Sequence, residues 1–296
     1  MRIMIGKYPD FKFYARQTSL PAMRLEYDWH MANVVNRIFA DPYLKSHLML
    51  FGGTMLCRVY NICNRPSTDL DLAYSIDMTK ISRHKIRDTE KAMAHNMMVE
   101  HIAPILAPQY KCTFDADAPT MINVSYQSVL DSSTPSMGLD FKSGFWQAAK
   151  LSKPFRSIVP ANKLPRSFIP TVSLEQMFWI KLAVLHCYHN MPVGKTIYPT
   201  SSRHYYDVFC LIRHGVNLQD KRGKLLQNVV KTNLMPLQKR RWARYENMPQ
   251  QVNLMPAPHI MDALRQDYAQ YSKQIYGFRP DWWQILSAIN KLQQSL

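Results

Sequence analysis

Acidic side chains are scarce in this chain. Its 296 residues carry 21 Asp plus Glu against 37 Lys plus Arg, a formal net charge of +16 at pH 7, with a sequence pI near 9.7. An imbalance this lopsided exceeds what solubility needs and favours a polyanionic partner, RNA or DNA. Cysteine is sparse too. Cys57, Cys63, Cys112, Cys187 and Cys210 are scattered, odd in number and without a CxxC pair, which argues against a disulfide framework or a zinc knuckle and predicts reduced, mostly buried thiols. His186-Cys187 with His189 is the one local metal-like cluster, but it closes an amphipathic helix and lacks a second ligand pair, so it reads as structural. No stretch approaches the roughly 18 uninterrupted apolar residues of a membrane span. Met1 to Lys7 lacks the apolar centre of a signal peptide, so the expected location is the cytoplasm and no membrane partner is expected. No repeat or low-complexity tract is evident.

What is present is concentrated in Gly52-Gly53-Thr54 and Arg65-Pro66-Ser67-Thr68-Asp69-Leu70-Asp71. His47 to Phe51 is strand-like, the two glycines permit a tight turn, and Met55, Leu56, Val59, Ile62 and Cys63 recur at helical spacing. A strand, a glycine turn and a helix N-terminus leave backbone N–H groups aimed at an anion. From Asp69 the period becomes two: Asp69, Asp71, Ala73 and Ser75 face one way and Leu70, Leu72, Tyr74 and Ile76 the other. The strand thus buries its leucines and presents two carboxylates about 6.5–7 Å apart at Cα, a span their side chains can close around paired Mg²⁺ ions roughly 3.5–4 Å apart. Magnesium takes hard oxygens plus substrate phosphates, so a third acid is expected from a neighbouring strand. Asp140 fits, because Leu139 and Phe141 alternate with Gly138, Asp140 and Lys142.

A second anomaly lies in the helix opened by Ser173 and Gln176, which form a capping-box pair, and predicted to run through Leu185. Leu174, Met177, Phe178, Lys181 and Leu185 share one face, so an ammonium sits mid-helix in an apolar stripe. It must snorkel out, find a carboxylate or point into a cleft. The densest cationic run is Arg222, Lys224, Lys231 and then Lys239-Arg240-Arg241-Trp242-Ala243-Arg244-Tyr245, where aromatics interleave with bases as on a phosphate-and-base surface, or else form a solvated helix face. Further helices are predicted around Leu25 to Phe39 and Lys85 to Ile102, and strands over Tyr110 to Phe114, Met121 to Ser128 and around Asp140. Pro154, Pro160, Pro165 and Pro170 punctuate a crossing between lobes. The expected architecture is an α/β (α+β) fold: residues 1–160 with a mixed sheet flanked by helices, and residues 161–296 mainly helical.

Gly52, Gly53, Thr54, Arg65, Ser67, Asp69 and Asp71 together resemble the first motif of the AbiEii/AbiGii-type nucleotidyltransferases, toxin components within the DNA polymerase beta-like superfamily. Glu175 to Leu182 is similar to the family's lysine helix and Arg203-His204-Tyr205-Tyr206-Asp207 to its R-x-x-x-D helix. Asp267-Tyr268 and the helix from Pro280 to Leu296 have counterparts as well, so the likeness runs from about Glu26-Tyr27-Asp28 to the end, with Tyr27 where a lysine is common. The resemblance implies transfer of a nucleoside monophosphate from an NTP to a hydroxyl. Asp69, Asp71 and Asp140 would hold two Mg²⁺ ions, and Asp140 would also accept the hydroxyl proton. Gly52, Gly53, Thr54, Arg65 and Ser67 would bind the nucleotide with Lys181, which Asp207 orients unless it orients Arg203 instead. Lys239, Arg240, Arg241 and Arg244 would hold RNA, with the tRNA acceptor end as substrate, and a separately encoded antitoxin would be the partner. Nucleotidylation of a protein or small molecule, and a degenerate nucleic-acid-binding module, are the alternative readings.

Overall fold

The computed structural model describes residues 8–18, 20–74, 85–115, 117–118, 120–142, 153–159, 167–216, 241–248 and 251–296. Three helices, α1 (Phe11–Thr18), α2 (Ala22–Ala40) and α3 (Pro42–His47), lead into β1 (Leu48–Phe51). The Asp41 carboxylate accepts the Leu44 N–H at 2.9 Å and Pro42 stands at the first helical position, which starts α3 where the sequence allows no longer run of α2. The short helix α4 (Gly52–Thr54) continues as a π-helical turn, Met55–Val59, before β2 (Asp69–Tyr74). Next come α5 (Ile86–Asn96), a π-helical turn Met97–Ile102, α6 (Ala103–Leu106), β3 (Lys111–Phe114), β4 (Met121–Ser125) and β5 (Ser136–Lys142). The remainder holds a small ladder of β6 (Lys153–Pro154) with β7 (Phe168–Ile169), then α7 (Leu174–His189), α8 (Arg203–Arg213), α9 (Pro258–Tyr271) and α10 (Trp282–Ser295).

The main sheet has the order β1-β2-β5-β4-β3; β2 and β5 run parallel and every other pair is antiparallel. Alternation does what the sequence predicts. Leu70, Leu72, Leu139, Phe141, Ile122 and Val124 are buried in the core, while Asp69, Asp71, Asp140, Lys142, Met121 and Asn123 remain partly exposed on the opposite face. The chain then returns to the free edge of β1. Leu50 N–H donates to Pro170 O at 2.8 Å and Val172 N–H to Leu50 O at 3.1 Å, which sets the first turn of α7 beside the glycine turn, where Gly52 N–H meets Met177 Sδ at 3.2 Å. Ser173 caps α7 through Gln176 N–H, and the helix continues to His189, one turn beyond the predicted Leu185. One apolar core runs from Met31 of α2 to Ile289 of α10. The anticipated lobe boundary at residues 160–161 lies outside the described residues.

Helix α2 departs from the one-sided pattern that Leu25, Trp29, Ala32, Val35 and Phe39 predict. Its other face is buried as well, and Glu26, Asp28, His30, Asn33 and Asn36 are all inside. Each acid is answered: Glu26 accepts from Ser128 Oγ (2.8 Å) and Val129 N–H (2.7 Å), and Asp28 accepts from Ile158 N–H (2.6 Å) and pairs with Arg58 (2.7 Å). Packing on two sides overrides amphipathic patterning wherever the buried polar atoms find partners.

Candidate active site

The geometry of the first motif explains its glycines. Gly52 has φ +75°, and a Cβ there would lie 1.9 Å from Asp71 Oδ2; a Cβ on Gly53 would lie 2.1 Å from Arg65 Nη2. Only glycine allows both side chains to close on the turn. Thr54 Oγ1 lies 2.6 Å from both Ser67 Oγ and Asp69 O, so the start of the helix is tied to the start of β2. Tyr27 donates its hydroxyl to Thr68 O, bracing the same segment from α2.

Asp71 pairs in register with Asp140 of β5, and Asp69 with Gly138. In a parallel ladder such partners share a face, so Asp69, Asp71 and Asp140 converge on the open side of the sheet, as their alternation predicted. Burial first, and then the charges of Asp69 and Asp140, push the Asp71 carboxyl up to about 7, against the lowering fields of Lys181 and Lys142. The Asp140 carboxylate is held by Lys142, whose Nζ lies 2.8 Å from Oδ2 and 3.0 Å from Oδ1. Among the described residues no three acid, histidine or cysteine groups close on a single point as a ready-made metal cage. The donor set nonetheless fits Mg²⁺, which needs only one or two carboxylates and takes its remaining ligands from water and substrate phosphates. An acid pushed up to about 7 by burial and then by its acidic neighbours is one whose ionised form a nearby cation would favour.

Behind this face lies a second carboxylate with the opposite surroundings. Asp207 of α8 is 0% exposed, and it receives Arg65 (2% exposed) in a bidentate pair, Nε to Oδ1 at 2.6 Å and Nη2 to Oδ2 at 2.8 Å. Lys181 of α7, 5% exposed, adds a third contact, Nζ to Oδ2 at 2.7 Å. Burial by itself would raise Asp207, but Arg65 and Lys181 outweigh it and hold the carboxyl well below its usual range. Of the three fates open to Lys181, a carboxylate is the one realised, and Asp207 orients Arg65 along with it instead of Arg203. His204 is held neutral, pushed well down by burial and then by Lys181 and Arg203, and its Nδ1 lies 3.5 Å from Lys181 Nζ. Thr54, Arg65 and Asp207, anticipated to bind the nucleotide, are all buried, and Arg65 Nη2 lies directly against Gly53 at the turn.

The start of α8 is fixed from a residue that had only been matched by likeness. Asp267 of α9 accepts Thr200 N–H at 2.7 Å and Ser202 N–H at 2.8 Å, while Tyr268 donates to Pro280 O at 2.7 Å. His186 and His189 are structural: His186 donates through Nε2 to Arg244 O at 3.3 Å and accepts Asn253 N–H at 3.1 Å, and His189 donates to Met255 O at 2.8 Å. In the cationic run, Lys239 and Arg240 lie outside the described residues, as do Arg222, Lys224 and Lys231. Arg241, in the short 3₁₀ turn Arg241–Ala243, and Arg244, between it and a second such turn, Tyr245–Asn247, are exposed. The interleaved aromatics do not form a stacking surface: Tyr245 is 4% exposed and Trp242 packs against the core, because a 3₁₀ turn every three residues sends them inward.

No curated protein matches the chain in sequence. Solved structures similar to it include MenT4, a nucleotidyltransferase toxin from Mycobacterium tuberculosis H37Rv, with a TM-score of 0.46 and 14% identity over 76% of this chain and 70% of that one. JHP933 from Helicobacter pylori aligns with a TM-score of 0.47 and 14% identity over 94% of each chain. The model of the AbiEii family, described as nucleotidyl transferase toxins of type IV toxin-antitoxin systems, matches residues 34–288. That span takes in the glycine turn, all three sheet carboxylates, and the Arg65, Lys181 and Asp207 node, and the chain belongs to the AbiEii nucleotidyl transferase toxin family.

Proposed function

We propose that this nucleotidyltransferase moves a nucleoside monophosphate from an NTP to the 3′-terminal hydroxyl of an RNA, the tRNA acceptor end, with Asp69, Asp71 and Asp140 as its metal-binding acids. The observation that carries this is the register of Asp71 with Asp140 directly beside a glycine turn that only glycine can make. Bound at these acids, two Mg²⁺ ions would neutralise charge on the phosphate oxygens. Gly52, Gly53 and Ser67 line the side of the turn that receives the triphosphate, where backbone N–H groups at a helix start favour an anion. The acceptor oxygen forms a bond to the α-phosphorus as the bond to the bridging oxygen breaks, its proton passes to Asp140, and pyrophosphate leaves with the electron pair. Lys181, fixed by Asp207, supplies positive field toward Asp71 and the departing pyrophosphate. A separately encoded antitoxin is the partner that a toxin of this family implies.

The test is incubation with each α-labelled NTP and total RNA, with and without periodate blocking of the 3′-terminal ribose. Label should enter RNA only when the ribose is intact. Label that enters blocked RNA equally well, or enters protein alone, would overturn the acceptor.

A further inference from the structure

The sheet orders the site along one axis. Because β1 is antiparallel to β2 and ends at Phe51 opposite Asp71, the turn of Gly52 and Gly53 lies at the Asp69 end of β2. Lys142 lies at the other end: it pairs with Ala73, two residues past the Asp71 and Asp140 pair, about 6.6 Å farther along the strands. Two residues from Asp140 on β5, it shares the carboxylate face. The sequence of features along that face is therefore glycine turn, Asp69, Asp71 with Asp140, and Lys142.

In a displacement at phosphorus the attacking and leaving oxygens stand roughly in line. If pyrophosphate departs toward the glycine turn, the acceptor enters from the end where Lys142 stands. Among the described residues, Arg65 and Lys181 are already committed, buried on Asp207. Lys142 is different: its side chain is 39% exposed, and its one anchor among the described residues is the Asp140 carboxylate, which the reaction needs unencumbered. An ammonium on a flexible stem, paired to a half-open carboxylate, exchanges that partner for a phosphate at little cost.

We propose that Lys142 is an acceptor-binding residue that grips the phosphodiester immediately 5′ to the attacking hydroxyl and, in moving onto it, frees Asp140 to take the proton. This rests on the transfer reaction and polynucleotide acceptor proposed above. It makes the protein selective for a nucleic-acid end over an isolated hydroxyl. It also accounts for a lysine on a face whose other work is to gather cations.

The experiment compares wild-type protein, Lys142→Met and Lys142→Arg on two synthetic acceptors with the same 3′ end, one with natural phosphodiesters and one with a neutral methylphosphonate at the last linkage. For the wild type, the methylphosphonate should lower kcat/KM by about tenfold or more, the loss of one charge-assisted contact. Lys142→Met should show that same loss on the natural acceptor, mainly in the KM for RNA, with the KM for NTP unchanged and no further loss on the methylphosphonate. Lys142→Arg should recover most of the activity on the natural acceptor. Equal sensitivity of wild type and Lys142→Met to the methylphosphonate would overturn the role of Lys142 while leaving RNA transfer intact. So would a Lys142→Met loss confined to kcat together with a shifted melting temperature, because that pattern belongs to a structural partner of Asp140. Wild-type labelling of protein alone overturns this role and the RNA acceptor together, and it is visible before any variant is compared.

Discussion

Asp71, partly exposed on the open face of the sheet, and Asp207, fully buried, are carboxylates of one small region with opposite surroundings. Asp207 has two cations within 2.8 Å and is held ionised far below its usual range. Asp71 has two acids for neighbours and only the more distant fields of Lys181 and Lys142, and is pushed up to about 7. A buried charge with cations against it is satisfied, whereas an acid crowded by acids is costly to ionise and is neutralised by a proton unless a cation lies beside it. The contrast separates a carboxylate whose charge is already paired from one whose charge is not.

Removing the satisfied charge should have the largest effect on the fold. Asp207→Asn leaves Arg65 and Lys181 buried without a counter-charge, a cost of about 3–5 kcal/mol, or a drop of about 10 °C in melting temperature by calorimetry. The pH dependence has a definite sign. Since the folded carboxyl titrates below its ordinary 3.8, its stabilisation is complete above about pH 4 and is lost as pH falls below that, so the gap between wild type and variant should close only in acid. A gap that stays constant to pH 2 would contradict the pairing.

Asp71→Asn should invert this pattern. Asparagine replaces a carboxyl that burial and its acidic neighbours push up to about 7 and so make costly to ionise, so the melting temperature should stay level or rise, while transfer falls by at least about a hundredfold. A large loss of stability with activity retained would erase the contrast. Gly52→Ala lies between the two, because its Cβ would meet Asp71 Oδ2 and the residue would keep a left-handed φ of +75°. Expected are a loss of about 1–3 kcal/mol in denaturant titration and a fall in transfer greater than about tenfold. The smallest effect concerns the exposed cations: Arg241→Ala with Arg244→Ala should flatten the plot of log K for RNA against log salt by roughly 0.7 to 0.9 per lost phosphate contact, with NTP affinity unaltered. An unchanged slope would remove these two from the RNA surface.

The sheet acids were legible because period-two alternation assigns faces before any pairing is known. Leu70 and Leu72 announce a core side, which puts Asp69 and Asp71 on the other, and Leu139 and Phe141 do the same for Asp140. Lys181 was legible as an anomaly, since an ammonium in an apolar stripe demands an explanation, but its partner was not fully specified. Arg65 and Asp207 are separated by 142 residues, and no local pattern encodes a contact of that range. Asp267 capping α8 from α9 and the buried acids of α2 were hidden for the same reason: their partners are assembled by the fold. In the run from Lys239 to Tyr245 the sequence did not reveal which way the rings face, because alternating bases and aromatics look alike whether a ring meets solvent or, as with Tyr245, the core.

The most direct test of the central claim is the Mg²⁺-dependent transfer of labelled nucleoside monophosphate to RNA by wild type and Asp71→Asn at matched folded concentration. The account predicts transfer by the wild type that chelation abolishes, and loss of at least about a hundredfold in a variant whose melting temperature is not lowered. Transfer by Asp71→Asn at the wild-type rate, or transfer by the wild type that chelation leaves untouched, would contradict it.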